Sequence, residues 1–456
     1  MKRIIQQFCE EGIKNLQEKV IQLIHTGGGL SEAVSEIKKE TDALGRSICV
    51  EIIEAMDAAI VKDAKRKKDW YVERKNEEKR VITRLGEISY ERTYYRSRDG
   101  KGYRHLVDEI LGIDAHTRMD DEMHAELAEM ASNLSYRNAG RSVGEVEISG
   151  QTAMNSVRNM EKIKVEKLPA EKKSVAILYV EADEDHIALQ SGKSAMPRLI
   201  YVHEGIGEQG KRRYLKSPYY LASLRGKPGE LWQEAYEYIE NNYDIDKIEQ
   251  IYLSGDGAAW IKQGLDYLPK AKFVLDKYHM SKYVAKATAH MPEYASRVWD
   301  SLREADYDEL GLVFNELHMA TESESKREEI KESWAYFKNN WDGIKVQEED
   351  AERIIGCSAE GHNSHILASR MSSRPMGWSK DGAEKMARLR AFKANDGKVI
   401  DFLKVEKKEK ELYSISRKLM KATCEGLKTN INENPCRLEV FKIGKLTGLY
   451  KALKAI

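Results

Sequence analysis

Cysteine is scarce in this 456-residue chain: five in all, Cys9, Cys49, Cys357, Cys424 and Cys436, with no Cys-x-x-Cys pair. Such scatter argues against a disulfide framework and a zinc ribbon, and it favours a reducing cytoplasm. Long apolar runs are missing as well. None reaches the roughly 18 residues that a membrane helix needs, so no span is expected. The opening MKRIIQQFCEEGIKNL mixes charged and apolar residues at helical spacing, which is not the uninterrupted apolar core of a secretory leader. Net charge is absent too, since 75 Lys and Arg balance 75 Asp and Glu. With 41% hydrophobic residues, a chain of this length holds ample core for about two to four soluble domains.

The zero balance hides a strong asymmetry. Residues 62–104 carry 15 Lys/Arg against 8 Asp/Glu, and residues 398–456 carry 14 against 7. Between them, residues 289–350 carry 7 against 16. Two basic segments around an acidic one suggest a polyanionic partner, with nucleic acid the first candidate; solvated helix faces are the plain alternative.

Residues 1–68 read as a helical N-terminal region, broken at Gly27-Gly28-Gly29, with apolar residues at three-to-four spacing from Ile4 to Ile24. Residues 69–112 form a basic, β-rich unit. Within it, residues 78–105 are rich in β-branched and aromatic side chains, and Asp99-Gly100 offers a hairpin turn. Arg84, Arg92, Arg96, Arg98 and Arg104 interleave with tyrosines there, a pattern suited to phosphates and sugars and equally to an amphipathic sheet. Residues 113–165 begin with a helix over 119–132. Next comes a short helix carrying Ala139 and Val143, a tight connection at Gly144, and a second helix capped by Ser149 that turns Ala153, Val157 and Met160 inward. The pair resembles a helix-turn-helix. Its outward residues would be Gln151, Thr152, Asn155 and Arg158, and Gln, Asn and Arg are the side chains able to pair with adenine or guanine edges.

After the charged linker VEKLPAEKK, residues 172–400 change character. Strands are expected over 174–190 and 198–206, with a third held within 211–224, then a helix over 229–243. A strand ending in SGD, a short helix, the strand AKFVLD and a further helix follow. A helical, acidic insertion spans about 285–350, and residues 401–456 form a basic helical C-terminal region. Three strands, helix, strand, helix, strand is the order of an RNase H-like α/β fold. The chain therefore reads as a multidomain α+β protein: a helical and β/helix-turn-helix DNA-binding region, then an RNase H-like catalytic domain with an all-helical insertion.

In that topology the first and fourth strands lie side by side, so acids at their ends can approach each other. Asp183 and Asp185 are the first-strand candidates, ahead of Glu181 and Glu184. Asp256, between Gly255 and Gly257, is the fourth-strand candidate, and Glu360 near a helix start would supply a third carboxylate. Three carboxylates at one edge repel unless cations neutralise them, and an all-oxygen site suits two Mg2+ or Mn2+ ions. Such a pair promotes in-line phosphoryl transfer.

The strings YVEADEDHIALQ, YLSGDGAAWIK, FVLDKYHMSKYV and GCSAEGHNSHILASRMSSRPMGWSKDGAEKMARLRAF resemble the transposases of ISLre-type bacterial insertion sequences, DDE recombinases akin to the Mutator-like group. The resemblance covers nearly the whole chain. It implies a catalytic triad of Asp183, Asp256 and Glu360, with Asp185 standing close to the first acid. Asp276 and His279 would then match the (C/D)xxH signature and support the site. Also implied are double-stranded DNA as partner (element ends and target), a homodimer or higher homo-oligomer, and a cytoplasmic, nucleoid-associated location. Arg370 and Arg374, after the glutamate, are candidates for phosphate contacts through their forked guanidinium groups.

Other motifs carry less. Cys357, His362 and His365 are zinc-ligand types, but their spacing matches no closed structural site. The string SGKS at 191–194 tempts a phosphate-loop reading; the glycine required five residues before Gly192 is Ile187, so no nucleotide triphosphate is implied. Two rivals to a transposase remain: a catalytically silent sequence-specific DNA-binding protein, and an RNase H-like nuclease that cuts without joining.

Overall fold

A computed structural model of the chain describes residues 12–26, 29–100, 102–144, 146–160, 163 and 169–408. Residues 1–11, where the expected N-terminal helix begins, residues 165–168 of the linker and residues 409–456 of the basic C-terminal segment lie outside the described residues. The protein is mixed α and β, and it divides into two compact units. Of the described residues, one unit takes in those up to 130, 136–153 and 399–408; the other takes in 131–135 and those from 154 to 398. Among the described residues no helix is long and apolar enough to cross a membrane.

In the first unit, helix Ile13–His25 packs along the long helix Leu30–Lys62. The latter lies on a three-stranded antiparallel sheet of β1 (Trp70–Thr83), β2 (Gly86–Ser97) and β3 (Tyr103–Arg104). Ile53 and Ile60 from the helix meet Val81, Ile88, Tyr90 and Tyr95 from the sheet. Asp57 ties the two layers by accepting the Thr93 hydroxyl at 2.6 Å. The sheet begins eight residues before the expected 78, because WYVERKNE is strand in spite of its charge. Register shifts between Val72 and Glu77, with Asn76 at φ 58°, explain why that stretch lacks a clean alternation. Asp99-Gly100 does turn the chain, between β2 and β3, with Gly100 at φ 74°.

The two short helices fall at Tyr136–Ser142 and Gly150–Arg158. Ala139, Val143, Ala153, Val157 and Met160 are all buried, as their spacing predicts. Ser149 caps the second helix through the Thr152 N–H at 3.1 Å. Gly140 lets the connection fold back tightly: a Cβ there would sit 2.0 Å from the Ile148 carbonyl oxygen.

The second unit is built on a five-stranded mixed sheet. Its strands are β4 (Ile177–Glu184), β5 (Arg198–His203), β6 (Tyr219–Ser223), β7 (Gln250–Gly255) and β8 (Ala271–Leu275), in the spatial order β6-β5-β4-β7-β8. The first three pair antiparallel, while β4, β7 and β8 run parallel. The first and fourth strands of this unit are therefore neighbours at the centre. The third strand lies within the stretch 211–224 expected to hold it, at its end. Residues Arg212–Leu215 pair instead with Ile206–Gln209 in a side hairpin, which the uninterrupted KRRYLKSPYYLASL does not reveal. Buried Trp232, Ala235 and Ile239 of helix Pro228–Asn242 cover the sheet. The insertion is helical throughout, with Ala295–Arg303, Tyr307–Ala320, Glu324–Asn339 and Trp341–Glu349 following helix Lys277–Thr288.

Helix Lys380–Ala394 is anchored to the end of β6 by Glu384. This buried carboxylate accepts the Leu224 and Arg225 N–H groups at 2.6 and 2.9 Å and the Arg388 guanidinium at 2.5 Å; Arg388 in turn grips Glu234. Burial alone would push this carboxyl up, but the Arg225 N–H and Arg388 hold it below its ordinary value. The group's stabilisation is therefore full above the unfolded value of 4.5 and is lost as the pH falls through the lower folded value. Glu384→Gln is expected to destabilise the fold at neutral pH by about 1–3 kcal/mol. Thermal melts run from neutral pH to below 4.5 should show the gap to wild type closing as wild type loses the charge.

Candidate active site

Three aspartates meet one edge of the mixed sheet. Ser254 of β7 stands opposite Glu181 of β4, and Gly255 stands opposite Leu275 of β8. Continuing those registers puts Asp183, Asp256 and Asp276 at the carboxyl ends of three adjacent parallel strands. In open α/β sheets ligands bind outside those ends, where the connecting loops diverge.

Asp183 is buried at 6% exposure. Its Oδ1 accepts the Glu184 N–H at 2.8 Å and its Oδ2 accepts Asn363 Nδ2 at 3.1 Å. The same Asn363 nitrogen donates to the Glu184 carbonyl at 2.9 Å. Asn363 follows Glu360 by three residues in the short helix Ala359–Asn363, so both occupy one side of it. Asn363 thus clamps the helix of the third acid onto the strand of the first. Glu360 itself is half-exposed, with Lys282 Nζ 3.9 Å away.

Asp256 folds its Oδ1 back onto the Ala258 N–H at 2.8 Å, and its carbonyl oxygen accepts the Tyr336 hydroxyl at 2.9 Å. Tyr336 stacks on Tyr283 with ring centroids 3.7 Å apart, so the helical insertion is fastened to this acid. The flanking glycines do permit close approach, but the neighbours are protein. At Gly257, with φ 90°, a Cβ would lie 2.1 Å from Asn340 Oδ1; at Gly255 it would lie 3.0 Å from the Ala182 carbonyl oxygen.

Asp276 is buried and caps helix Lys277–Thr288 through the Tyr278 N–H at 3.0 Å. Its other oxygen holds His279 Nδ1 at 2.9 Å. Burial would lower the His279 pKa, but the Asp276 hydrogen bond and the Asp276 and Asp256 charges raise it. Asp185 sits past the end of β4, where Ser372 donates to its Oδ1 at 3.0 Å.

The electrostatics reflect crowded acids. Burial, joined by the nearby Glu360 and Asp256 charges and opposed by the Glu184 N–H, pushes the Asp183 carboxyl up to about 6. Burial raises Glu184 and Asp185 as well, with Asp256 adding to the first and Glu360 to the second. Among the described residues no three His, Cys, Asp or Glu side chains close on one point as a ready-made metal cage. The donor chemistry nevertheless suits a hard cation. Asp185 Oδ2, Asn340 Oδ1 and Asn363 Oδ1 are buried acceptor oxygens with no hydrogen-bond donor. Of these, Asn363 is the one bonded directly to Asp183, and an oxygen-seeking divalent ion at that carboxylate would satisfy its remaining oxygen.

Behind this edge lies a network that the sequence does not announce. Glu181, 2% exposed, accepts the Ser358 N–H at 2.6 Å, the Ser358 hydroxyl at 3.2 Å and the Tyr201 hydroxyl, and Cys357 Sγ lies 3.2 Å away. His203 Nε2 stands 3.0 Å from its other oxygen. Ser358 is the residue before helix Ala359–Asn363, so Glu181 fixes the point from which the Glu360 helix departs. The His362 Nδ1 is engaged with the Tyr220 hydroxyl at 3.0 Å, and Cys357, His362 and His365 do not converge as a zinc set. Glu-x-x-Asn spacing could have flagged Asn363; nothing local flags Glu181, whose partners come from residues 201, 203, 357 and 358.

The residues expected to touch DNA are unequally placed. Gln151 and Asn155 are exposed and Thr152 is half-buried. Arg158 donates to Ser379 Oγ at 2.7 Å. Arg92 is tucked into an ion pair with Asp108, whereas Arg96 is exposed, 3.4 Å from Glu73. Arg370 is buried, donating to the Ala131 carbonyl at 2.8 Å and lying over Trp378, which is a structural position. Arg374 is exposed.

Comparison with known proteins bears on the family. The profile described as "Uncharacterised protein family (UPF0236)" matches residues 23–411. A UPF0236 protein of Caldanaerobacter subterraneus subsp. tengcongensis is 42% identical over 464 aligned residues, covering 100% of this chain and 98% of its own length. Another from that bacterium, whose name joins eleven locus designations, is 43% identical over 95% of this chain and 93% of its own. A Streptococcus gallolyticus protein, named for its place in the vanSb 3' region, is 24% identical over 82% of this chain and 85% of its own. The chain belongs to the UPF0236 family.

Proposed function

We propose that this protein is a DNA transposase of the DDE type, acting through an RNase H-like domain on the ends of an insertion sequence. The observation that carries the reading is the pairing of Asp183 and Asp256 at adjacent parallel strand ends, with the Glu360 helix tied to Asp183 through Asn363. Asp183, rather than Asp185, is the first acid on this reading, because it continues the register with Asp256 and shares the Asn363 clamp. The joined locus designations of the relatives add support, since a gene present at many positions of one genome is what a mobile element leaves behind.

Asp183, Asp256 and Glu360 would hold two Mg2+ or Mn2+ ions. When bound, such ions activate the attacking hydroxyl and stabilise the leaving oxygen in an in-line phosphoryl transfer. Asp276 and His279 support the edge: the aspartate anchors its helix and orients the imidazole. Asn363 and Glu181 keep the third acid in place. Gln151, Asn155 and exposed Arg374 would engage double-stranded DNA. Synapsis of two element ends calls for a homodimer or higher oligomer, in the bacterial cytoplasm with the nucleoid.

Incubation of labelled element-end duplex with the protein and Mn2+ or Mg2+ tests this. Nicks at the element end followed by joining to a target duplex are expected. Cutting without joined products would favour a nuclease, and binding without nicking would favour a silent DNA-binding protein; either overturns the transposase reading.

A further inference from the structure

On the sheet of the first unit, the face turned away from helix Leu30–Lys62 carries a ladder of tyrosine and arginine that no helix among the described residues covers. The register sets Tyr71 of β1 opposite Arg96 of β2, and Arg96 opposite Tyr103 of β3, so these three form one row across all three strands. Arg74 pairs with Tyr94 alongside. Arg98 lies 4.1 Å from the Tyr71 ring centre and Arg96 5.8 Å from it. Tyr94 stacks on Tyr103 at 5.4 Å, and Arg74 lies 5.0 Å from the Tyr94 ring. The terminal rings are open to solvent, Tyr71 at 44% and Tyr103 at 52% exposure. Tyr95, one residue from both Tyr94 and Arg96 in β2, is wholly buried on the opposite face.

A sheet face that leaves large aromatic rings exposed forgoes the burial that normally stabilises them. Here the rings are interleaved with cations, and Glu73 and Glu77 offset only part of that charge through Arg96 and Arg74. Flat π-faces alternating with guanidinium groups match a ligand that alternates flat bases with phosphates. Adjacent strands are spaced by about 4.8 Å, so Tyr71 and Tyr103 stand about 10 Å apart across the row. Bases present their faces for stacking only when unpaired; in a duplex the faces are covered by their neighbours.

We infer that this face binds single-stranded DNA, with bases stacked on Tyr71 and Tyr103 and the backbone lying along Arg74, Arg96 and Arg98. The inference goes beyond the double-stranded partner proposed above. It involves neither the acids of the mixed sheet nor a metal, so it stands or falls independently of the cleavage reading.

Fluorescence anisotropy of the full-length protein with a labelled oligo-dT, in EDTA, tests it. Wild type is expected to bind the oligonucleotide with an affinity that falls as salt rises. Tyr71→Ala and Tyr103→Ala should each weaken binding by about tenfold, the scale of one lost base–aromatic stack. Tyr71→Phe and Tyr103→Phe should stay within about twofold, since the π-face remains. Unchanged melting of the alanine variants separates lost stacking from lost folding. Three results would overturn the inference: no binding of oligo-dT, equal losses for oligo-dT and a duplex of the same length, or a strong preference for oligo-U over oligo-dT.

Discussion

Asp256→Asn should leave end-DNA binding within about twofold of wild type while lowering metal-dependent nicking by at least about a thousandfold. The change keeps the size of the side chain and an acceptor oxygen for the Ala258 N–H, now 2.8 Å away, so the turn between Gly255 and Gly257 has no reason to rearrange. What disappears is one negative charge at the centre of the sheet edge. A divalent ion contributes several kcal/mol of transition-state stabilisation in phosphoryl transfer, and each ~1.4 kcal/mol is tenfold in rate. Asp183→Asn should fall as far. Asp185→Asn, whose Oδ1 is already engaged by Ser372, should fall much less. Nicking gels on labelled element ends, with binding measured in parallel without metal, give the comparison. Comparable nicking by wild type and Asp256→Asn would remove Asp256 from the site and the DDE reading with it.

A second large effect is expected at Glu181, and it is one of stability. Replacing it by alanine would take the acceptor from the buried Ser358 N–H and from His203 Nε2, and would leave the Ser358 and Tyr201 hydroxyls, 2.9 Å apart, to bond each other. Removing one partner of such a buried charged network costs about 3–5 kcal/mol. For a unit of this size each kcal/mol moves the melting temperature by about 2–4 °C, so a drop on the order of 10 °C is expected. Glu181→Gln keeps the volume and part of the hydrogen bonding, and should lose distinctly less. Calorimetry of the three proteins decides this. If alanine melts with wild type, the network is not what holds the Ser358 end of the Glu360 helix. The charge state adds a pH signature. Burial works to raise this carboxyl, but His203, Tyr201 and the Ser358 N–H bring it below its ordinary 4.5. Its contribution is therefore present above 4.5 and lost as the pH falls through the folded value.

Periodicity carried the reading furthest where one element buries one face. The alternating and continuous apolar runs of ILYVEAD, RLIYVH, IYLSG and KFVL located four of the five strands of the mixed sheet. The inward positions of the two short helices were also legible, because Ala139, Val143, Ala153, Val157 and Met160 recur at helical spacing. Segments ruled by contacts distant in the chain were read less well. WYVERKNE is strand only because β2 pairs with it through two irregularities, and KRRYL joins a side hairpin that a string of tyrosines and lysines does not announce. Arg92 and Arg370 look like surface arginines in sequence, yet Asp108 and the Ala131 carbonyl draw them inward.

By itself the sequence determined the kinds of side chain at the sheet edge and the order of the elements that carry them. Acids end the first and fourth strands, an Asp-x-x-His step follows the fifth, and a glutamate stands near a helix start far downstream. These are local facts, written in neighbouring residues. Tertiary structure alone decided which of these groups stand together. The parallel register aligns Asp183, Asp256 and Asp276 at adjacent strand ends, and Asn363, 180 residues beyond Asp183, clamps the third acid's helix to the first acid. It also decided that Glu181 is buried and bonded to Tyr201, His203 and Ser358. The physical reason is that burial and hydrogen-bond supply belong to the whole fold: two carboxylates two residues apart on one strand differ in role because different distant donors reach them.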